Sequence, residues 1–278
     1  MTTTSIELNN GVSIPQLGYG VFQVPPDETQ AAVEAALEAG YRHIDTAAAY
    51  NNEAGVGAGV KATGIPRDEI FITTKLRNGD QGSNETRAAF ERSNKTLGLG
   101  YIDLYLIHWP VPVKDLYIQS WRVMERLYDE KAVRAIGVSN FLTAHLDRLI
   151  AATDIVPVVD QIEVHPSFDQ GPLTEYVRSR GVAVEAYSPL GQSVDLHAAV
   201  VSELADKYQV TPAQVILRWH MQRENIAIPK SVDRDHMRSN LDIFEFKLTA
   251  DDLDQISALK TAARIGNDPN TFALSQIR

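Results

Sequence analysis

The chain has 278 residues, 44% of them hydrophobic, and a formal net charge of −10, a size that suits either two domains or one barrel of roughly 250 residues. The acidic charges are scattered, which argues against nucleic acid as a partner, and the absence of cysteine excludes disulfides, thiolate catalysis and cysteine metal sites. No apolar run is long enough for a bilayer and residues 1–4 carry no basic-then-apolar leader, so a cytoplasmic protein without a membrane segment is expected.

Residues 5–8 and 12–14 flank Asn9-Asn10-Gly11 and predict a β-hairpin, expected to lie on the fold as a lid. A short strand follows at 17–20. Residues 27–39 have helical periodicity, with Asp27 as the expected N-cap and Gly40 as the stop. Next come a strand at 43–45 and a helix at 52–63 closed by Gly64. Strands at 70–75, 102–108, 134–138, 158–163 and 183–187 then alternate with helices at 84–97, 117–129, 144–152 and 173–179. Helices at 198–208 and 212–223 precede a last strand at 226–228, and helices at 235–243 and 250–259 complete the pattern. The strands are nearly all apolar, as expected when both faces of a parallel sheet are buried. Strands and helices repeating in this way predict an α/β fold, a (β/α)8 TIM barrel with an N-terminal β-hairpin and two extra helices. No linker divides the chain, so one domain is expected over residues 1–278.

In such a barrel the residues just past the strand C-termini share one face, and that face carries the chemistry. Asp45, Lys75 and His108 each close an apolar stretch and Tyr50 follows one closely; Asn140, Gln161, Tyr187 and Lys230 fall on the same face. A carboxylate at the end of a buried strand is costly without a cation beside it, so Asp45 is expected to pair with Lys75. Two such residues alone could be a structural ion pair. With Tyr50 and His108 at matching positions they form one candidate site. His43 and His165 read as structural, and no histidine spacing suits a metal, so none is expected. Gly55-Val56-Gly57-Ala58-Gly59 is the nearest thing to a dinucleotide fingerprint, but it follows no strand and lies inside a predicted helix. Close helix packing is the better reading.

Five stretches bear a resemblance to a known family: Gly40-Tyr41-Arg42-His43-Ile44-Asp45-Thr46-Ala47, Asp103-Leu104-Tyr105-Leu106-Ile107-His108-Trp109-Pro110, Gly137-Val138-Ser139-Asn140-Phe141, Gln161-Ile162-Glu163-Val164-His165-Pro166 and Ile228-Pro229-Lys230-Ser231-Val232. Together they resemble the aldo-keto reductases over essentially the whole chain, most of all the bacterial branch that includes the 2,5-diketo-D-gluconate reductases. The resemblance implies an NADPH-dependent oxidoreductase that reduces aldehydes, dicarbonyls and keto sugars to alcohols by hydride transfer. It implies a catalytic set of Asp45, Tyr50, Lys75 and His108, with Tyr50 as proton donor. A free phenol has a pKa of about 10, and Lys75 is expected to draw it down while Asp45 holds Lys75 and His108 orients the carbonyl. Phe22 and Trp109 would wall the pocket.

For the cofactor the resemblance implies Ser139, Asn140 and Gln161 at the carboxamide, Tyr187 stacked on the nicotinamide, and Ser188, Leu190 and Gln192 along the pyrophosphate. Lys230, Ser231, Val232, His236 and Asn240 complete the cofactor set. Here the chain departs from the family pattern. His236 stands where relatives that prefer the 2′-phosphorylated cofactor usually have arginine, and Asp233 directly follows Val232. Lys230 and Ser231 favour NADPH, with NADH left open as a second cofactor. Arg77 stands where relatives usually carry tryptophan; it is either a partner for a substrate carboxylate or a solvated loop residue. Two competing functions also stay open at this point: a Schiff-base aldolase using an unpaired Lys75, and a low-turnover cofactor-binding redox sensor. Short segments after Gln192 and Arg264 imply an open pocket for small-molecule carbonyl substrates, and a monomer is expected.

Overall fold

The computed structural model describes residues 4–260 and 264–274; residues 1–3, where no leader is expected, lie outside that set. A hairpin of β1 (Ser5–Glu7) and β2 (Ser13–Pro15) pairs antiparallel with Ile6 opposite Ile14. Eight parallel strands follow in sheet order identical to chain order: β3 (Tyr19–Gly20), β4 (His43–Asp45), β5 (Phe71–Leu76), β6 (Ile102–Ile107), β7 (Val133–Ser139), β8 (Val159–Glu163), β9 (Ala183–Tyr187) and β10 (Ile226–Ala227). The ends of the sheet meet where Leu17 bridges Ala227 in parallel. Gly18 N–H donates to Ala227 O at 2.9 Å, Ala227 N–H to Gln16 O at 2.9 Å, and Gly20 N–H to Pro229 O at 3.1 Å. The sheet therefore closes on itself and leaves no exposed edge.

Helices α1 (Pro26–Ala39), α2 (Glu53–Thr63), α3 (Glu85–Leu97), α4 (Tyr117–Asp129), α5 (Thr143–Ala152), α6 (Gly171–Ser179), α8 (Pro212–Gln222) and α9 (Arg234–Leu241) alternate with the strands; α7 (Ala199–Tyr208) and α10 (Ala250–Ser257) are the two extra ones. Among the described residues no helix is long and apolar enough to cross a membrane. The first helix departs from expectation. It starts at Pro26, its cap position is Pro25 with no side-chain bond, and Asp27 lies inside the first turn. There it favours the helix through the positive N-terminal end of the dipole instead of capping it. The stop at Gly40 holds, with φ of 120°.

Side chains alternate along a strand, and the inward-facing series change character from one barrel end to the other. Phe71, Leu104, Leu106, Ala135, Val159 and Ile226 fill the N-terminal end together with Leu8 and Ile14 of the hairpin segment. Further along the same inner faces come Thr73 and Lys75 on β5, His108 past β6, Ser139 on β7, Gln161 and Glu163 on β8, and Glu185 and Tyr187 on β9. The hairpin is a lid, but over the apolar mouth. Asn9 Nδ2 donates to Pro157 O at 2.9 Å and Gly181 O at 3.1 Å, and Asn10 Nδ2 to Arg134 O at 3.1 Å, carbonyls near the strand starts. The opposite, polar mouth is left open.

The glycine-rich stretch 55–59 lies within α2, where it serves packing. A Cβ built on Gly57 would sit 1.9 Å from Leu97 O, on Gly55 2.8 Å from Thr29 Cβ, and on Gly59 2.8 Å from Val33 Cβ. Helix propensity alone makes Gly57→Ala stabilising by about 1 kcal/mol. Overpacking against a backbone carbonyl opposes that by about 1–3 kcal/mol. Urea denaturation of Gly57→Ala is expected to show a net loss of stability; a gain would mean that α2 and the end of α3 do not touch in this way.

Candidate active site

The polar end of the barrel is organised by one buried ion pair. Asp45 is the last residue of β4, and Lys75 is the residue before the end of β5, with Leu76 the true terminus. Lys75 is fully buried and Asp45 is 2% exposed. Lys75 Nζ donates to Asp45 Oδ1 at 2.7 Å, to Asp45 Oδ2 at 2.7 Å and to Thr46 O at 2.8 Å. An ammonium has three protons, so all are committed. Gln161 Nε2 adds a further bond to Asp45 Oδ1 at 2.7 Å.

Tyr50 sits in a short 3-10 turn (Ala48–Tyr50) after β4. Its ring lies between Phe22, 5.0 Å away centroid to centroid, and His108, 5.6 Å away at 74°. Lys75 Nζ is 5.1 Å from the ring centroid, under its face. The expectation that Lys75 draws the phenol pKa down is not met. Burial pushes it well above 10, and the negative charge of Asp45, with that of Glu185 whenever it is ionised, acts in the same direction. Asp45, paired with Lys75, offsets part of the ammonium's pull on the phenol, and burial outweighs the rest. His108 moves the opposite way: burial and the Lys75 charge hold it well below 6.5. At neutral pH the pair is thus a protonated phenol and an uncharged imidazole.

These groups open on a cavity of about 420 Å³. Asp45, Tyr50 and His108 reach it, with Phe22 and Trp109 as apolar wall. Across it stand Ser139, Asn140, Gln161 and Tyr187, joined by Ser188, Leu190, Gln192 and Lys230. The far wall is pre-arranged. Ser139 Oγ donates to Gln161 O at 2.7 Å, Asn140 Nδ2 to His108 O at 3.0 Å, and Tyr187 hydroxyl to Asn140 Oδ1 at 2.9 Å. Asn140 has φ of 61°, a left-handed backbone that asparagine tolerates. Ser188, Gly191, Gln192 and Ser193 also have positive φ. His220 Nε2, 3.0 Å from Pro189 O, braces that turn from below.

Six expected residues fall outside the cavity lining, one of them the fully buried Lys75. Arg77 is taken up by Asp80, with Nε and Nη2 at 3.1 and 3.2 Å from its two oxygens. Ser231 presents its carbonyl to the Tyr19 hydroxyl at 2.6 Å. Val232 is 57% exposed and His236 is exposed. Asn240 is buried and bonds to Tyr41. Asp233, the acid that breaks the family pattern, acts locally. It caps α9, accepting from Asp235 N–H at 2.8 Å and His236 N–H at 2.9 Å.

Other residues at this end were not singled out from the sequence. Glu185, fully buried on β9, was visible as an acid inside an apolar strand, the same signal that marked Asp45. Gly266 and Asn267 line the cavity but belong to a tail without periodicity. That tail is held by Glu163, which accepts from Ile265 N–H at 2.6 Å and Gly266 N–H at 2.8 Å. His165 is more than strand support. Its Nε2 lies 3.3 Å from Glu163 Oε1 and its Nδ1 2.9 Å from Asp195 Oδ2, so it joins the tail to the turn after β9.

Comparison with known proteins follows the same outline. The sequence profile of the aldo/keto reductase family matches residues 15–261. An aldo-keto reductase of Mycolicibacterium smegmatis is 50% identical over 267 residues, 96% of this chain and 97% of that protein. A glyoxal reductase of Bacillus subtilis is 46% identical, covering 96% of each chain. Among solved structures, a mutant of Gox0644 in complex with NADPH superposes with a TM-score of 0.95 at 42% identity, over 99% of this chain and 100% of that one.

Burial alone would lower the His165 pKa, but its bonds to Asp195 and Glu163 carry it above 6.5. A histidine raised in the folded state contributes stability that is complete below its unfolded pKa and is lost as pH rises through the folded value. The stability gap between wild type and His165→Asn is therefore expected to narrow on going from about pH 6 to about pH 9, read as urea midpoints. A gap that stays constant or widens would show that no imidazolium is held there.

Proposed function

The chain belongs to the aldo/keto reductase family, and from that premise we propose that it reduces small aldehydes and dicarbonyls with NADPH, using Tyr50 as proton donor. It is an NAD(P)H-dependent oxidoreductase. One observation carries the finer reading: a protonated phenol and an uncharged imidazole face one cavity, with a buried, charge-neutral Asp45–Lys75 pair behind them.

The residues present suit the cofactor. Asn140 and Gln161 offer amide groups at the cavity floor, and Tyr187 offers a ring face beside them. The turn 188–193, with its repeated positive φ, lines the cavity through Ser188, Leu190 and Gln192, where a pyrophosphate would lie. Lys230 is exposed and has no ion-pair partner among the described residues, whereas Arg234 is paired with Glu38 at 2.8 Å and Arg238 faces Asp235 at 3.4 Å. Lys230 is thus the cation best placed to meet a 2′-phosphate, and the NADPH-bound relative supports that cofactor over NADH. When bound, the reduced nicotinamide supplies the hydride.

The protein's own part is to place and protonate the carbonyl oxygen. His108, uncharged, positions that oxygen by hydrogen bonding. Tyr50 then gives its proton as negative charge develops there. The resulting phenolate forms over the Lys75 ammonium, whose distance to the ring favours it more than water would. Phe22 and Trp109 keep one wall apolar and strengthen both effects. A Schiff-base role for Lys75 finds no support, because its three protons are spent on Asp45 and Thr46. The cavity is lined by residues from Gly20 to Asn267 of one continuous barrel, which supports a single domain. The glyoxal reductase relative supports dicarbonyls as substrates.

NADPH consumption with glyoxal and a panel of aldehydes tests the reading. Tyr50→Phe is expected to cut kcat by roughly 100- to 10,000-fold while NADPH still quenches tryptophan fluorescence; full activity in that variant would end the proton-donor assignment. Arg77→Ala, in turn, is expected to change kcat/KM for a keto acid and its ester equally, since Asp80 already occupies the guanidinium. A selective loss on the acid would show that Arg77 swings into the pocket.

A further inference from the structure

One buried acid at the reactive end plays no part in the proton transfer from Tyr50 as described so far. Glu185 is fully buried on β9, its Cα in register with Gln161 of β8 on one side and Ile226 of β10 on the other. Neither carboxyl oxygen receives a well-formed hydrogen bond. Gln161 lies alongside and eases the acid slightly, but its N–H is given to Asp45. The nearest nitrogen of a basic side chain is His43 Nε2, at 3.6 Å. That ring is fully buried and its pKa is depressed to about 3, so it carries no positive charge at neutral pH. Lys75 on β5 has no proton left to give. Asp45 on β4 and Tyr50 are the remaining ionisable groups within electrostatic reach of it, and neither welcomes a second negative charge.

An isolated carboxylate in such surroundings costs far more than a carboxylic acid. Packing does not require an acid there either, since leucine or glutamine has nearly the same volume. What the position does offer is electrostatic reach to Tyr50: Asp45 holds the phenol up, and Glu185 would hold it up further once ionised.

We propose that Glu185 is a positioning residue for the proton transfer: it is kept as an uncharged acid beside the Asp45–Lys75 pair, and its ionisation switches reduction off by opposing the negative charge that Tyr50 must take. The inference rests on the reading of Tyr50 as proton donor. In the reduction itself the carbonyl carbon gains a hydride, the oxygen gains the Tyr50 proton, and Tyr50 is left as phenolate until solvent reprotonates it. Glu185 exchanges no proton in that step. It acts by being neutral while the phenolate exists. With Glu185 charged, the barrel would have to hold Asp45, Glu185 and the phenolate against the single cation Lys75.

The experiment is a pH series of kcat/KM for carbonyl reduction in wild type, Glu185→Gln and Glu185→Leu, with infrared difference spectra of the same proteins. Wild-type kcat/KM is expected to fall above a midpoint near pH 8, where burial and Asp45 have pushed the Glu185 pKa up from 4.5. The ratio of Glu185→Gln to wild type should then rise about tenfold per pH unit beyond that midpoint. The infrared spectra should show a protonated carboxyl band in wild type at neutral pH that is missing in both variants and fades in wild type over the same pH range. An alkaline fall with the same midpoint in Glu185→Gln overturns the proposal, as does a carboxylate signature for Glu185 at pH 7. If wild type reduced no carbonyl at all, the fault would lie with the assigned function, and the carboxyl band would still decide whether Glu185 is neutral. Should Glu185→Gln not fold, the leucine variant and the wild-type band carry the test.

Discussion

Lys75 and Asp45 are the constraint from which the polar end of this barrel follows. Neither can leave water alone: burying one ion costs several kcal/mol even after relaxation, and removing one partner of a buried pair typically costs about 3–5 kcal/mol. The chain meets that demand by surrounding the pair with three bonds from one ammonium and a fourth from Gln161. Once the pair is fixed, Tyr50 has a cation under its ring and His108 has a reason to stay neutral. The pair supplies little stability in itself. It serves instead to fix charge and geometry where the chemistry takes place.

The same barrel separates stability from chemistry along its axis. The hairpin and the inward apolar residues of β5 to β8 and β10 seal one mouth with hydrophobic contacts and asparagine bonds. The other mouth carries left-handed backbone at Asn140, Ser188 and Gln192, and ionisable groups displaced from their ordinary ranges. Strain and desolvation of this kind persist only where surrounding structure over-determines them. The seam from Gln16 to Pro229, which closes the sheet, lets the sealed end brace the strained one.

Much of this was legible in the residues. Apolar runs of strand length alternating with helices led directly to the barrel, because a parallel sheet leaves each strand no polar face. Asp45, Lys75 and His108 stood out for the complementary reason, as charges where apolar residues belong. The same logic applied to Glu185, yet an acid two residues before a tyrosine in a short strand looked unremarkable without its neighbours. Asp27 was misplaced by one rule overriding another: Ser, Thr, Asp and Asn favour the cap, but Pro25-Pro26 started the helix first. The lowered phenol pKa failed because the Lys75 charge was counted without Asp45 beside it and without the burial of the phenol, which outweighs that charge. Gly266 and Asn267 could not be read at all, since a tail with no period has no inside or outside until it is laid down.

How that tail is fastened has a bearing on how such a protein can change over generations. Glu163 grips Ile265 and Gly266 by their peptide N–H groups, not by their side chains. Apart from Gly266, where a Cβ would lie 2.7 Å from Glu163 Oε2, the fastening places little demand on residue identity. Mutation can therefore redraw the rim of the pocket while its attachment point survives, so the choice of substrate is free to drift independently of the machinery that acts on it.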